Sequence, residues 1–245
     1  MAQPTRVALL LTCLCDAFED GVARAAVEVL EHAGCEVAFP ADQTCCGQPA
    51  YTAGDLAAAR AVVRHALATF GEDVPVVAPA ASCVAFLRHA PALFDEGSAE
   101  RAAAAALAAR VHELCEFVAQ RTGGAWPGRL RARVAVHRPC HARGGGTWQA
   151  VERLVGSIDG VTLVPVAESE ACCGFGGVFS VTHPHLSRTL GVLRTEDLVG
   201  GAPDVVVSPD LSCLLHLRGL AARAGRPLAA RHVAELLRDS LAGTA

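Results

Sequence analysis

The chain has 245 residues, of which 52% are hydrophobic and 19% are charged, and its formal net charge is −4. This composition predicts a substantial apolar core and excludes extended disorder outside the two ends. The 4% of aromatic residues and the lack of a basic block argue against nucleic-acid binding, and the sequence contains no lysine for Schiff-base or phosphate-loop chemistry.

The apolar pattern of the first half predicts strands that alternate with helices. Continuous apolar runs are typical of strands buried on both faces, whereas apolar residues at helical spacing predict helices. The predicted strands are 7–11, 36–39 and 74–78. The predicted helices are 20–32, 54–70, one that begins near Ser82 and contains Cys83, and 101–120.

The second half repeats this order of elements. Its predicted strands are 134–137, 161–166 and 205–208, and its predicted helices are 147–155, 185–198, one opened by Ser212 and Cys213, and 229–241. Residues 122–128 contain three glycines, a proline and a tryptophan, which is typical of a linker. The sequence therefore predicts an α/β fold of two pseudo-symmetric repeats, 1–122 and 129–245, each a small parallel sheet flanked by helices.

No apolar stretch approaches the roughly 18 residues of a membrane span, and the N-terminal apolar run is too short for a secretory signal. We therefore expect no membrane span and a cytoplasmic location. Thiols stay reduced in that compartment, so paired cysteines are better interpreted as ligands or redox groups than as disulfides.

Eight of the eleven cysteines form two matched sets of four. Three positions recur at an offset of 127 and the fourth at an offset of 130. The sets are Cys13, Cys45, Cys46 and Cys83, and Cys140, Cys172, Cys173 and Cys213. Each cysteine position follows a predicted strand, and ligand sites of parallel sheets form beyond the carboxyl ends of the strands. We expect each set to lie at one sheet edge and to form a sulfur site.

Soft thiolate ligands select iron–sulfur clusters or zinc. Adjacent cysteines crowd a single tetrahedral ion but can reach different irons of a cluster, so the residues favour iron–sulfur and leave zinc as the alternative. Gly47 and Gly174 are expected to let the backbone turn after each cysteine pair. Ser82 and Ser212 are expected to cap helices whose N-termini lower the pKa of the following thiols.

The remaining cysteines have no repeat partners. We expect Cys35 and Cys115 to be small hydrophobic residues of the core, as lone buried cysteines commonly are. Cys15 stays open, because it lies two residues after Cys13 but has no counterpart in the second half.

Histidine and arginine side chains near the second set are further candidates. His137 could complete a metal site, act as an acid or base near neutral pH, or satisfy backbone groups beside the site. His141 has no counterpart in the first half and is expected to play no direct part. Arg138 and Arg143 form a hypothetical bidentate site for a substrate carboxylate.

The cysteine spacing resembles that of a known family. Two stretches of the chain resemble the cysteine-rich CCG domain: Cys13-x31-Cys45-Cys46-Gly47 and Cys140-x31-Cys172-Cys173-Gly174. This domain occurs twice in the cysteine-rich subunit of heterodisulfide reductase, in glycolate oxidase iron–sulfur subunits and in lactate-utilisation protein A. The chain is most similar to the last group, because it is short and lacks a ferredoxin-type Cys-x2-Cys-x2-Cys run. Further segments that agree are Cys46-Gly47-Gln48-Pro49-Ala50, His137-x-x-Cys140, Cys173-Gly174-Phe175-Gly176-Gly177-x-Phe179-Ser180 and Ser212-Cys213-Leu214-Leu215.

The resemblance implies an iron–sulfur redox subunit that acts with two other lactate-utilisation proteins, one of them ferredoxin-like, in oxidising L-lactate to pyruvate. It implies clusters of the [4Fe–4S] type. The fuller motif ends Cys-x-x-Cys and gives five cysteines for a noncubane cluster, but Ala80 and Asp210 occupy the first of those positions here. Each set therefore has four thiols, which favours a different or incomplete cluster, or zinc. Two alternative functions are a heterodisulfide-reductase-like redox component and a zinc-stabilised, non-catalytic interaction subunit.

Overall fold

A computed structural model describes residues 4–243; the outer ends of the two predicted repeats, 1–3 and 244–245, lie outside the described residues. The described residues form eight strands, twelve α-helices and two short 3-10 helices. The strands are β1 (Thr5–Leu9), β2 (Cys35–Ala38), β3 (Val76–Ala78), β4 (Val111–Glu113), β5 (Arg129–Val136), β6 (Asp159–Val164), β7 (Val205–Ser208) and β8 (Ala230–His232).

The helices alternate with these strands as the apolar pattern predicts. They are α1 (Cys13–Phe18), α2 (Asp20–His32), α3 (Gln48–Thr52), α4 (Leu56–Thr69), α5 (Ala81–His89), α6 (Ala99–Arg110), α7 (Leu114–Thr122), α8 (Thr147–Gly156), α9 (Val178–Thr182), α10 (Pro184–Val199), α11 (Leu211–Arg223) and α12 (Val233–Ala242). The 3-10 helices are Ala90–Leu93 and Cys140–Ala142. No helix in the described part of the chain is both long and apolar enough to cross a membrane.

The strands form two four-stranded parallel sheets with equivalent strand orders. The first sheet has the order β2-β1-β3-β4, and the second has the order β6-β5-β7-β8. The backbone N–H of Leu10 donates to Val77 O at 2.9 Å, and that of His137 donates to Val207 O at 2.8 Å. The two halves are therefore structural repeats, and the predicted α/β fold class is confirmed.

One apolar core lies between the two sheets. The inner sheet faces contribute valines such as Val7 and Val77 from the first sheet and Val134 and Val207 from the second, all fully buried. Helices α2, α7, α8 and α12 fill the space between them, with α2 packed on α12 and α7 packed on α8. The repeats thus share a central helical layer, which fixes the position of one sheet edge relative to the other.

The outer faces of the sheets are covered separately. Helices α4, α5 and α6 pack on the outer face of the first sheet, and α10 and α11 pack on that of the second. The strands are consequently apolar on both faces, which is the reason that continuous apolar runs identify them in the sequence.

Two strands interrupt segments that the apolar spacing assigns to single helices. β4 divides the predicted helix 101–120, and β8 occupies the start of the predicted helix 229–241. Both are three residues long, shorter than one helical turn, so apolar periodicity cannot distinguish them. The next helices begin at buried capping residues, since Glu113 accepts hydrogen bonds from two α7 amides and His232 Nδ1 accepts one from Ala234 N.

Candidate metal centre

All eight repeated cysteines line one cavity of about 200 Å³. The cavity lies beyond the carboxyl ends of the strands of both sheets, where each cysteine follows its strand. Sequence reasoning placed each set of thiols at one sheet edge but did not anticipate that the two edges face each other. The common helical layer accounts for this arrangement, because it packs between the inner faces of the two sheets and brings the carboxyl ends of their strands to one cavity.

The repeats meet directly at the cavity floor. Ala80 and Asp210 pair as an isolated antiparallel bridge, and Ala81 N donates to Pro209 O at 3.3 Å. These are the positions at which the fuller cysteine motif has its additional thiols. Here they form the junction between the two halves.

Within each set, equivalent thiols contact one another in the same order. Cys13 Sγ lies 3.7 Å from Cys45 Sγ, and the free thiol of Cys46 is placed to hydrogen-bond with the thiols of Cys45 and Cys83. In the second set the Cys172 thiol is placed to hydrogen-bond with the thiols of Cys140 and Cys173, and Cys173 Sγ donates to Cys213 Sγ at 2.9 Å. The matched contacts show that the sequence repeat is also a repeat of side-chain geometry.

One thiol of each set is strongly acidic. The pKa of Cys45 falls to about 2 because the thiols of Cys13 and Cys46 donate to it, as do nearby backbone amides. The pKa of Cys172 falls to about 2 for the equivalent reason, with Cys140 as the main donor. A thiolate is the form of cysteine that binds metals, so each set already contains one ligand in its binding state.

The donating thiols have the opposite shift. Donation to Cys45 raises the pKa of Cys13 and of Cys46, and burial adds to both shifts. The pKa of Cys140 and of Cys173 rises in the same way through Cys172 and burial. A soft cation entering either set would displace these protons, so metal binding should release protons.

The glycine after each cysteine pair has the backbone conformation that the sequence predicts. Gly47 has φ +103° and Gly174 has φ +85°, values that L-residues rarely adopt. A Cβ atom at position 174 would lie 2.4 Å from Ser187 O. Gly174 N also donates to Cys172 Sγ at 3.3 Å. Each turn therefore requires glycine and aims adjacent thiols at the cavity.

The prediction that Ser82 and Ser212 cap the two helices is wrong. Helices α5 and α11 begin one residue before Ser82 and Ser212, and the Asp210 carboxylate caps both. Its Oδ2 accepts from Ser82 N at 2.8 Å, and its Oδ1 accepts from Ser212 N at 3.2 Å. Cys83 and Cys213 lie in the first turns of these helices, but the pKa of Cys213 is raised rather than lowered as expected, because the hydrogen bond with Cys173 is outweighed by burial and the nearby Asp210 charge. The cap was missed because one of its two bonds crosses between the repeats.

His137 is fully buried beside the second set. One of its ring nitrogens and the Sγ atoms of Cys173 and Cys213 lie within 4.8 Å of one another. Arg194 Nε donates to His137 Nδ1 at 3.0 Å. Burial, reinforced by the Arg194 charge, lowers the pKa of His137 to about 3. The ring is therefore neutral near pH 7.

Sequence reasoning missed Arg194. Its side chain is completely buried on the inner face of α10, together with Ser187, Gly191 and Leu198. The spacing of these residues at four, three and four positions along a helix is the signal that could have found it. An arginine on a buried helix face requires several acceptors, because its five N–H groups must be satisfied.

The three other cysteines lie away from the cavity. Cys35 and Cys115 belong to the core between the sheets, which confirms their assignment as small hydrophobic residues. Cys15 packs in a separate apolar cluster with Val22 and Leu214 and accepts a hydrogen bond from Thr12 Oγ1 at 3.1 Å. Burial raises its pKa to about 12, so it stays a protonated thiol.

The hypothesis that Arg138 and Arg143 form a site for a substrate carboxylate is wrong. Arg138 pairs with Glu152 at 2.7 Å and stacks on Trp148, and Arg143 donates to the carbonyl oxygen of Glu170. Neither lines the thiol cavity. His141 does line it, and its Nε2 lies 2.9 Å from Gln48 Nε2 of the first repeat. Its Nδ1 lies 3.6 Å from Cys140 Sγ, so the ring contacts both the first repeat and a thiol of the second set.

The Cysteine-rich domain family (CCG) matches the chain twice, at residues 7–88 and 134–218. Lactate utilization protein A of Exiguobacterium sp. is 37% identical over 243 residues, covering 96% of this chain and 98% of the relative. Lactate utilization protein A of Geobacillus kaustophilus is 37% identical over 238 residues, covering 95% and 98% respectively.

One solved structure, a hypothetical protein from Helicobacter pylori, resembles the whole chain. The TM-score is 0.61 at 11% sequence identity, with 98% of this chain and 49% of that chain covered. The chain thus spans about half the length of that protein. At this identity the likeness shows the fold alone.

Proposed function

Because the chain belongs to the Cysteine-rich domain (CCG) family together with lactate utilization protein A, we propose that it is an iron–sulfur redox subunit serving the oxidation of L-lactate to pyruvate. The observation that carries this proposal is the single cavity faced by two matched sets of four thiols. Each repeat, 1–122 and 129–245, would supply one set.

The donor set fits iron–sulfur clusters. Four thiols of soft character converge in each repeat, and soft thiolates select iron–sulfur centres or zinc. Structural zinc sites are closed around a single ion. The cavity instead has a volume of about 200 Å³, against roughly 30 Å³ for one water molecule in the liquid, and Cys13 is exposed. This cavity volume favours clusters over single ions. We propose that they are [4Fe–4S] clusters, each bound by four protein thiolates.

The protein side chains would bind the clusters and exclude water. The eight cysteines would supply thiolates, beginning with Cys45 and Cys172, whose pKa values are already low. The apolar walls include Leu14, Pro49 and Phe175, which limit solvent around the sulfurs. A cluster in this position would accept and return single electrons.

We propose that lactate itself is oxidised on a partner. Removing two electrons and two protons from lactate calls for a two-electron group such as a flavin, whereas clusters commonly pass one electron at a time. Arg138 and Arg143, the candidates for a carboxylate site, are bound by other groups, and the cavity floor carries the Asp210 carboxylate. The chain would therefore relay electrons within a complex of lactate-utilisation subunits that includes a ferredoxin-like protein, in the cytoplasm.

Metal analysis tests the iron–sulfur assignment. Protein purified without oxygen should contain iron and acid-labile sulfide, and Cys46→Ser and Cys173→Ser should each remove about half of both. Cys115→Ala is the matched control, since that thiol lies in the core between the sheets. Zinc without sulfide in the wild-type protein would overturn the proposal and favour the zinc-stabilised interaction subunit.

Growth on L-lactate tests the physiological assignment. A deletion strain that has no other lactate dehydrogenase should fail to grow on L-lactate and should recover with the wild-type chain but not with Cys173→Ser. Normal growth of the deletion strain would argue against lactate oxidation and favour the heterodisulfide-type alternative.

A further inference from the structure

We propose that His137 is a hydrogen-bond donor to sulfur at the second thiol set rather than a metal ligand, and that it gives the second centre a higher reduction potential than the first. Arg194 would act as the positioning residue for the ring. The inference rests on the proposed iron–sulfur function and deepens it, because it distinguishes two centres that the cysteine repeat makes look equivalent.

The hydrogen bond from Arg194 fixes the tautomer of His137. A guanidinium has only N–H donors, so the Nδ1 atom that receives its Nε–H at 3.0 Å must present a lone pair. In the neutral ring the proton then resides on Nε2. A metal ligand would need a lone pair on Nε2, and the geometry provides a hydrogen there instead.

Among the described residues, the Nε2 atom of His137 has no hydrogen-bond partner. It is buried, and no nitrogen or oxygen of the described residues accepts from it. Since Nδ1 is taken by Arg194, Nε2 is the nitrogen left to face the Sγ atoms of Cys173 and Cys213. A buried polar hydrogen without an acceptor is costly, and sulfur at this site would satisfy it.

Arg194 is itself held in position by backbone carbonyl groups. Its Nη1 donates to Glu168 O at 2.9 Å, and its Nη2 donates to Ser169 O at 3.3 Å. These carbonyls belong to the loop that leads to Cys172 and Cys173. The same guanidinium thus holds the loop and the imidazole, so the ring orientation is set before any cluster is bound.

The first repeat has no such donor at the equivalent position. Leu10 follows β1 as His137 follows β5, and the backbone amides of both donate to equivalent valines. Leu10 is buried in the same apolar cluster as Cys46 and Cys83. The second set therefore has an imidazole N–H where the first has a methyl group.

This difference should separate the two reduction potentials. A reduced cluster carries one more negative charge, largely shared by its sulfurs, so an N–H donor stabilises the reduced form and raises the potential. An added electron shared between the two centres would then reside mainly on the second.

The test uses the full chain purified without oxygen as wild type, His137→Leu, His137→Gln and Leu10→Met. Iron and sulfide are measured per chain, and the potentials are followed by electron paramagnetic resonance. The same His137 variants in a Cys46→Ser background, which should keep only the second centre, assign the signals.

We expect His137→Leu to keep its iron and sulfide while the reduction equilibrium of the second centre falls at least tenfold, which is about 59 mV for a one-electron couple. His137→Gln, which retains an N–H donor, should recover most of this shift, and Leu10→Met should leave the second centre unchanged. Loss of second-site iron in both His137 variants would show that His137 is a ligand and overturn the inference. Unchanged potentials, or equal shifts in the Leu and Gln variants, would also overturn it while leaving the proposed function intact. Wild-type protein without iron and sulfide would refute the proposed function itself.

Discussion

Replacing Asp210 with alanine should lower the free energy of unfolding by about 2–4 kcal/mol, because one carboxylate caps two helices. Asp210 is almost completely buried. Its two oxygens accept from the backbone amides of Ser82, at the start of α5, and of Ser212, at the start of α11. The loss would therefore loosen both helices that carry the last thiol of each set.

The magnitude follows from the number of caps. Loss of a single N-cap costs about 1 kcal/mol, and a charge-assisted bond in a buried position contributes up to about twice that. Two such caps give the stated range, which corresponds to a fall of roughly 4–16 °C in Tm for a chain of this size. Asp55 is the matched control, because its exposed side chain caps only α4, through Ala58 N at 2.9 Å.

Urea unfolding of the metal-free protein, followed by circular dichroism, would measure both variants. Asp55→Ala should cost about 1 kcal/mol or less, since its cap is single and exposed. If Asp210→Ala cost no more than Asp55→Ala, the double cap would not contribute to stability and the reasoning would be refuted.

Three further predictions concern the turns, the buried histidine and the thiols. Gly174→Ala should lower the free energy of unfolding by at least about 2 kcal/mol and reduce the metal content, because its Cβ would meet Ser187 O in a backbone conformation with positive φ. Gly219→Ala is the control and should be neutral or stabilising, since a Cβ at this position in α11 would meet open space. Equal effects of the two substitutions would contradict this prediction. Burial lowers the pKa of His232 from 6.5 to about 4. As the pH falls, His232 is therefore protonated in the unfolded state before it is protonated in the folded state, and the free energy of unfolding should fall by up to about 3 kcal/mol between about pH 6.5 and pH 4. His232→Asn should flatten this part of the stability–pH curve measured by urea unfolding, and an unchanged slope would show that another group is responsible. Cys13→Ala should lose iron whereas Cys15→Ala should keep it and lose only packing stability, so iron loss from Cys15→Ala would place that thiol in the site.

The local pattern determined much of the secondary structure. Buried parallel strands are apolar on both faces, so residues 205–208 were predicted with the bounds that β7 has. Helix α2 was likewise predicted at 20–32, because its buried residues follow a single helical face. β4 and β8 could not be found in this way, since their three residues are defined by pairing with β3 and β7 rather than by a period of their own.

The cysteine repeat and the two glycines were evident from spacing alone, and the parallel topology implied that each set of thiols gathers at a sheet edge. These inferences need only the chain order and the rule that parallel strands end on the same side. The opposition of the two sets across one cavity, the double cap of Asp210 and the Arg194–His137 pair depend on contacts between residues 57 to 128 positions apart. Chain order alone does not give these contacts: the first two are set by the shared helical layer that packs one repeat against the other, and the Arg194–His137 pair is set by α10 packing on the outer face of the second sheet. The sequence thus determined that a set of four thiols occurs twice, and the tertiary structure decided that the two sets face each other and that only the second lies beside a buried imidazole held by arginine among the described residues.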